Sequence, residues 1–321
     1  MSPARVAVLA AVMGALTGFA AGWLAGPGRE PVTLAEAGAA RAAFQALPGP
    51  ETGATGASAA PAPPAARLAL AGGGPVDLGA LLRAPLSELR SSLLTALRHR
   101  SEGGWLYARA LARQCSALEM IAMREQLMPA TFQPVVDMNQ PGVQRAQAIR
   151  DQLSAGCSQL QPDELREAMN VPPGAVDPLI AVMDRPARPG SAEARERLTA
   201  ILARPDPLML AELGPGLLAR EGESLVFDGK RIDGDERLLL EGAAMLLPCS
   251  LGLVCDGRDV IVWGPCLTDG VCEASSREEA VMNSLQAGEH PERRAAVLAW
   301  VERLRAAVVA PDVGRFLRPP G

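Results

Sequence analysis

Residues 6–26, Val-Ala-Val-Leu-Ala-Ala-Val-Met-Gly-Ala-Leu-Thr-Gly-Phe-Ala-Ala-Gly-Trp-Leu-Ala-Gly, form an unbroken run without a charge, and no other stretch constrains this chain as strongly. At about 1.5 Å per residue a helix over this run reaches roughly 31 Å, close to the ~30 Å hydrocarbon thickness of a bilayer. The run exceeds the apolar core of a secretory signal, and its best small-x-small site, Ala20-Ala21-Gly22, is followed by Trp23. The expectation is therefore an uncleaved N-terminal transmembrane helix, with a cleaved signal and a secreted protein as the alternative. Arg5 and the terminal amine precede the run. By the positive-inside rule they place the N-terminus in the cytoplasm and the large C-terminal part outside it. Gly14, Gly18 and Gly22 recur every four residues, a spacing that lets two helices approach closely and offers a route to a homodimer.

From 27 to 75 the chain is an alanine-, glycine- and proline-rich linker, clearest over Gly49–Pro64, which holds no large apolar side chain. Such a segment buries too little surface to offset its ordering entropy, so it reads as a flexible tether, with a short helix at 34–47 as a minor feature. About 245 residues remain, enough for a substantial core. We expect a mainly α fold: a helical-hairpin domain over 76–220, then a β-hairpin and a cysteine-rich helical region over 221–321.

Helical periodicity carries that expectation. Leu82, Leu86, Leu89, Leu93 and Leu97 form one stripe, with Pro85 in the first turn. Tyr107, Leu111, Cys115, Leu118 and Ala122 mark a helix over 104–127, and Ile149, Leu153, Cys157 and Leu160 one over 143–160. Shorter helices are expected at 163–170, 176–184 and 192–203, and again after Asp206-Pro207, where the aspartate caps and the proline takes the first turn. Asp228-Gly229 between candidate strands predicts a tight hairpin. Further helices are expected at 236–247, after a Ser276/Glu279 capping box, and beyond Pro291, where Val297, Val301, Leu304 and Val308 share a face. Asp-Val-Ile-Val-Trp at 259–263 reads as a strand.

Six cysteines in a chain expected outside the cytoplasm favour disulfides. Cys115 and Cys157 sit on the apolar stripes of two helices and suit one bridge. Cys249, Cys255, Cys266 and Cys272 form two C-x5-C pairs, whose local pairing is the simplest of three connectivities. Zinc is the competing reading, although structural sites usually space ligand pairs by two to four residues.

Leu-Leu-Pro-Cys-Ser-Leu-Gly-Leu-Val-Cys (246–255) and Gly-Pro-Cys-Leu-Thr-Asp-Gly-Val-Cys (264–272), followed by a final helix, resemble the C-terminal region of uncharacterised proteobacterial cell-envelope proteins. Those proteins have helical, tetratricopeptide-like bodies. Tyr-Ala-Arg-Ala-Leu-Ala-Arg-Gln-Cys (107–115) is similar to a helix of the same group. The resemblance covers about 100–321 and rests on cysteine placement, and it implies no known activity.

No motif names a reaction or a cofactor. The two histidines, His99 in Arg-His-Arg and His290 before Pro291, lie far in sequence from any nucleophile. G-x-S-x-G, H-E-x-x-H, the P-loop and G-x-G-x-x-G are missing, and Lys230, the one lysine, lacks the serine of a Ser-x-x-Lys site. A net charge of −5 with interspersed signs and 3 % aromatic residues argue against nucleic-acid binding. With the proteobacterial resemblance, the expectation is a single-pass protein of the bacterial inner membrane with a periplasmic domain and a protein-interaction or scaffolding role in the envelope, since helical arrays offer concave surfaces. The alternative is a carboxylate-dependent envelope hydrolase, drawing on Asp233, Asp235, Glu236, Glu278 and Glu279 and on a groove lined by Trp105, Trp263 and Trp300, although the carboxylates read better as helix starts, Trp300 as core and Trp263 as a cover over the disulfide cluster.

Overall fold

The structure is a computed structural model that describes residues 76–127, 139–170, 177–184, 191–287 and 289–317. The apolar segment with Gly14, Gly18 and Gly22, the 27–75 linker and the 34–47 helix lie outside the described residues. Among the described residues, no helix is long and apolar enough to cross a membrane.

The described chain is mainly helical. Helix α1 spans Leu78–Arg83, and a 3-10 turn at Leu86–Glu88 leads into α2 (Leu89–Arg98). The single helix expected from the leucine stripe is thus broken. Ala84, which precedes Pro85, has ψ 150° and cannot continue α1, because the proline ring excludes helical geometry from the residue before it. Leu89, Leu93 and Leu97 are still buried. Gly103 adopts φ +105°, and a Cβ on Gly104 would meet Ala96 O at 2.1 Å. That pair lets the chain reverse within a few residues into the long helix α3 (Gly104–Leu127).

Next come α4 (Pro141–Cys157), α5 (Pro162–Met169), α6 (Pro178–Met183), α7 (Ala192–Ala203) and α8 (Pro207–Leu213). Four of these five start on proline at the first helical position, where its missing N–H is no loss. Asp206 caps α8 by accepting from Met209 N at 2.9 Å, as its Asp-Pro pair predicts.

Three short strands follow: β1 (Ala219–Glu221), β2 (Ser224–Phe227) and β3 (Lys230–Ile232), antiparallel in that order. The expected β2–β3 hairpin is present, with Phe227 opposite Lys230 and with φ of 53° and 70° at Asp228 and Gly229. Two successive positive φ values suit the right-handed twist of the strands. The extra strand β1 pairs Glu221 with Ser224 across a turn at Gly222. Every residue of β2 is buried, so its two faces both meet protein, and alternation cannot reveal it.

Helix α9 (Gly234–Ser250) is the core's central rod: Leu239, Leu240, Ala243, Ala244, Leu246 and Leu247 are all buried around it. It packs most extensively on α12 (Pro291–Val309), which buries Val297, Val301, Leu304 and Val308. The same continuous apolar cluster runs from Leu78 to Phe316, crossing the sequence position at 220.

Residues 259–263 are not a strand. Asp259 accepts from Ile261 N at 3.0 Å and starts α10 (Val260–Asp269). Val262, Trp263 and Cys266 are buried in it, a helical spacing. The β-branched run favours a strand locally, but tertiary packing overrides it. Trp263 belongs to a second apolar cluster with Ile121, Val143, Ile149, Leu153, Cys266 and Cys272, which joins α3, α4 and α10. Gly142 permits that contact, since a Cβ there would lie 1.8 Å from Cys272 O.

Disulfides pair Cys115 with Cys157, Cys249 with Cys255 and Cys266 with Cys272. The first ties α3 to the end of α4, and the other two close turns at the ends of α9 and α10. Ser276 caps α11 (Arg277–Ser284) by accepting from Glu279 N, while Glu279 turns back to Ser275 rather than to Ser276, so only half of the expected capping box forms. A last short helix, α13 (Val313–Phe316), seats Phe316 against Phe227, ring centroids 5.3 Å apart.

The hairpin turn anchors this C-terminus. Asp228 accepts from Arg315 Nε and from Arg315 Nη2 at 3.0 Å, and from Arg303 Nη2 at 2.5 Å. The Arg315 and Arg303 guanidiniums hold its carboxyl down at about 2. In the unfolded chain an aspartate titrates near ~3.9. The contribution is therefore complete above about pH 4 and is lost as pH falls through the folded value near 2. Urea midpoints of the protein and of Asp228→Asn should differ at pH 6 and converge toward pH 2. A pH-independent difference would refute this account.

Candidate functional site: an arginine-rimmed cleft

The histidines and carboxylates singled out in the sequence are mostly occupied at helix ends. His99 closes α2 with Nδ1 3.0 Å from Glu102, and His290 precedes α12 with Nδ1 3.2 Å from Glu292. Asp233 accepts from the Ser224 hydroxyl at the start of α9; Asp235 pairs with Arg293 at 2.7 Å and Glu278 with Arg294 at 2.6 Å. Asp235, Glu236, Glu278 and Glu279 occupy first helical turns, where the helix dipole favours negative charge. Among the described residues, no group of three or more His, Cys, Asp or Glu is arranged to hold a metal. Trp105, Trp263 and Trp300 do not line a groove: they are 5 %, 1 % and 6 % exposed and belong to the two cores.

Two aspartates at helix N-caps do more than cap. Asp177 is fully buried, and its carboxylate accepts from four backbone amides. Leu179 N and Ile180 N lie at 2.9 and 3.0 Å on its own helix α6, while Trp105 N and Leu106 N lie at 2.9 and 3.2 Å at the start of α3. One side chain thus closes the N-termini of two helices 72 residues apart in sequence. Burial pushes its carboxyl upward, and the four amide donors pull it only partly back. Asp206 is likewise pushed up by burial, and it accepts from the Tyr107 hydroxyl at 2.8 Å. Burial and the Asp206 charge raise the Tyr107 phenol far above its ordinary value. The tyrosine serves as a fixed donor. In α10, Asp259 accepts from the buried Arg277 Nε at 2.6 Å, which joins that helix to α11.

A surface cavity lies between α2 and α5. It is an open cleft of about 690 Å³ lined by Ser91, Leu94, Leu97, Arg98, Arg100 and Glu167. Ser91, Leu94 and Arg98 follow at helical i, i+3, i+7 spacing, so one face of α2 forms a wall. Leu94 and Leu97 make the apolar floor, and both are packed on the main core from beneath. Ion pairs bridge α2 or the turn after it to α5 near both ends. Arg90 grips Glu164 through Nη2 at 2.7 Å and Nε at 3.1 Å, and Arg100 Nη1 meets Glu167 Oε1 at 3.1 Å. The Arg90 contact draws the Glu164 carboxyl below its usual range. Arg100 also lies 5.9 Å from the centroid of the Trp105 ring, whose Nε1 donates to Glu167 O at 3.1 Å. The tryptophan thereby sets the position of the cleft's only acidic wall.

Sequence reasoning singles out the Arg-His-Arg end of α2 but not the cleft, because α5 reaches it from 67 residues away. The chemistry available there is recognition: an apolar floor, a hydroxyl and a cationic rim.

Fold and cleft together define a class: a mainly helical, disulfide-bonded protein with an open surface cleft of apolar floor and arginine rim. Compared with protein-family models, curated proteins and solved structures, the chain matches none.

Proposed function

We propose that this protein is a membrane-anchored interaction protein of the bacterial cell envelope. Residues 6–26 anchor it as a single inner-membrane helix, 27–75 tether it, and the helical domain faces the periplasm and docks a protein partner. Gly14, Gly18 and Gly22 would let two anchors associate. The observation that carries this reading is the cleft between α2 and α5, an apolar floor flanked by charge. Three disulfides suit an oxidising compartment. The helical-hairpin character expected of the fold suits the same role, because packed helix pairs leave grooves between them.

The test is a photocrosslinking residue placed at position 94 of the full chain in living cells, with a second at the exposed position 298 as control. The expected result is a discrete protein adduct from position 94 and none from position 298. Equal adducts from both positions, or none from position 94, would refute the docking role. Thiol trapping during lysis tests the compartment: all six cysteines should resist alkylation until reduced.

A further inference from the structure

We infer that the occupant of the cleft is an acidic segment of a partner protein, carrying an apolar side chain for the floor and carboxylates for the rim. This inference rests on the docking role proposed above and specifies the chemistry of the partner.

The argument is charge complementarity at a place where the rest of the chain is acidic. The protein carries a net charge of −5, yet Arg98 and Arg100 stand together at this rim, with Arg90 on the same helix. Their present partners differ in a way that decides what can bind. Arg90 is committed, since Glu164 holds it through two of its nitrogens. Arg98 is not: among the described residues its guanidinium meets the Thr95 hydroxyl at 2.8 Å and no carboxylate. Arg100 is held by Glu167 in a pair exposed at both ends, 57 % and 49 %. An exposed pair of this kind contributes about 0–1 kcal/mol, so an incoming carboxylate can replace Glu167 at little cost. Glu167 is then a placeholder, occupying Arg100 until a partner's acid arrives.

Apolar contact completes the site. Leu94 and Leu97 are fixed from below by the main core, so an occupant meets a floor that is already ordered. Ser91, which lines the cleft, donates its hydroxyl to Glu88 O at 2.8 Å, so its oxygen keeps acceptor capacity for a backbone N–H. Arginine suits this rim because its planar fork pairs with a carboxylate through two parallel bonds.

A random-peptide display library, panned against the full chain in detergent, reads the preference directly. Enriched peptides should combine aspartate or glutamate with leucine-like residues. Their binding should weaken about tenfold or more on R98E/R100E, a double surface change that leaves the core untouched. Glu167→Gln should tighten binding about threefold, because Arg100 is released and the repelling acid is gone. A merely structural Glu167 would not produce that gain. Enriched peptides without acidic bias that nevertheless lose binding on Leu94→Gln would overturn the acidic occupant and leave the docking role standing. Acidic peptides that bind equally well after their leucines are replaced by serine would reduce the site to a general anion patch, and would overturn this inference too. If nothing is enriched, or no enriched peptide responds to any cleft variant, both readings fail. Unchanged thermal unfolding of each variant establishes that the fold is intact.

Discussion

Replacing Asp177 with alanine is expected to lower stability by about 3–5 kcal/mol, among the largest losses a single substitution produces. The side chain is fully buried and accepts from Trp105, Leu106, Leu179 and Ile180 amides at once. Truncation strands the Trp105, Leu179 and Ile180 amides, while Leu106 N keeps a bond to Gly103 O at 3.2 Å; each unsatisfied buried donor costs about 1–3 kcal/mol, reduced where water enters the gap. Asp177→Asn retains one acceptor oxygen but turns an amide toward two donors, so a loss near ~2 kcal/mol is expected. Its pH dependence carries a distinct sign. Burial raises the folded carboxyl above its unfolded value. The contribution is therefore full below about pH 4 and declines as pH rises through the folded value. Asparagine does not titrate, so the gap between the protein and Asp177→Asn should narrow above about pH 4. Urea unfolding of both variants from pH 4 to 8 measures this. A loss below about 1 kcal/mol for Asp177→Ala would mean that water satisfies the two helix ends instead.

The second large effect lies in the Cys115–Cys157 bridge. These residues are 42 positions apart, and closing that loop adds about 4 kcal/mol in the chain-entropy model. The two local bridges span only 6 positions each, for which the same relation gives roughly 2 kcal/mol apiece. The double replacement Cys115→Ala, Cys157→Ala should therefore lower stability about twice as much as removal of either local bridge, with a fall in Tm of roughly 10 °C. Cys115 also lies within the main core, so its loss adds a small cavity to the entropic term. Equal effects from all three double replacements would contradict the loop argument and point to local strain or packing as the source. Calorimetry on the oxidised proteins distinguishes the cases.

Several parts of this architecture are legible in the residues because local physics decides them. Helix α3 occupies 104–127 and α7 occupies 192–203, the ranges their apolar spacing indicates. The Asp228-Gly229 turn follows from the residues that tolerate positive φ, and the α8 start follows from Asp206-Pro207. Where the reading fails, a non-local partner is responsible. The run at 259–263 has strand character by composition but lies in a helix because Trp263 is buried against α3 and α4. The leucine stripe from 82 to 97 is the exception: with Pro85 placed in a first turn it reads as one helix, but Ala84 before the proline is not helical, a local constraint that outweighs side-chain spacing. Trp300 lies in the core, as its place on the last helix suggests, and Trp105 lies there too, since rings of that size find enough surface to bury in a chain of this length.

The candidate site was the least legible part. Arg98 and Arg100 stand out in the sequence, but Glu167 and Glu164 are ordinary helix-surface acids until α5 packs beside α2. Asp177 shows the same limit. Its place before Pro178 marks a helix start, while its hold on Trp105 and Leu106 depends on how two distant helices meet.

The sequence by itself determined helix content, the positions of caps and tight turns, and which cysteines stand close enough along the chain to close short loops. These follow from dihedral preferences and from side-chain spacing within a few residues. Tertiary structure alone decided the strand-or-helix state of the apolar run at 259–263, the second role of Asp177, and the existence of the cleft. Each of these depends on burial, which is a property of the assembled packing: desolvation and contact with residues tens of positions away have no signature in any local window.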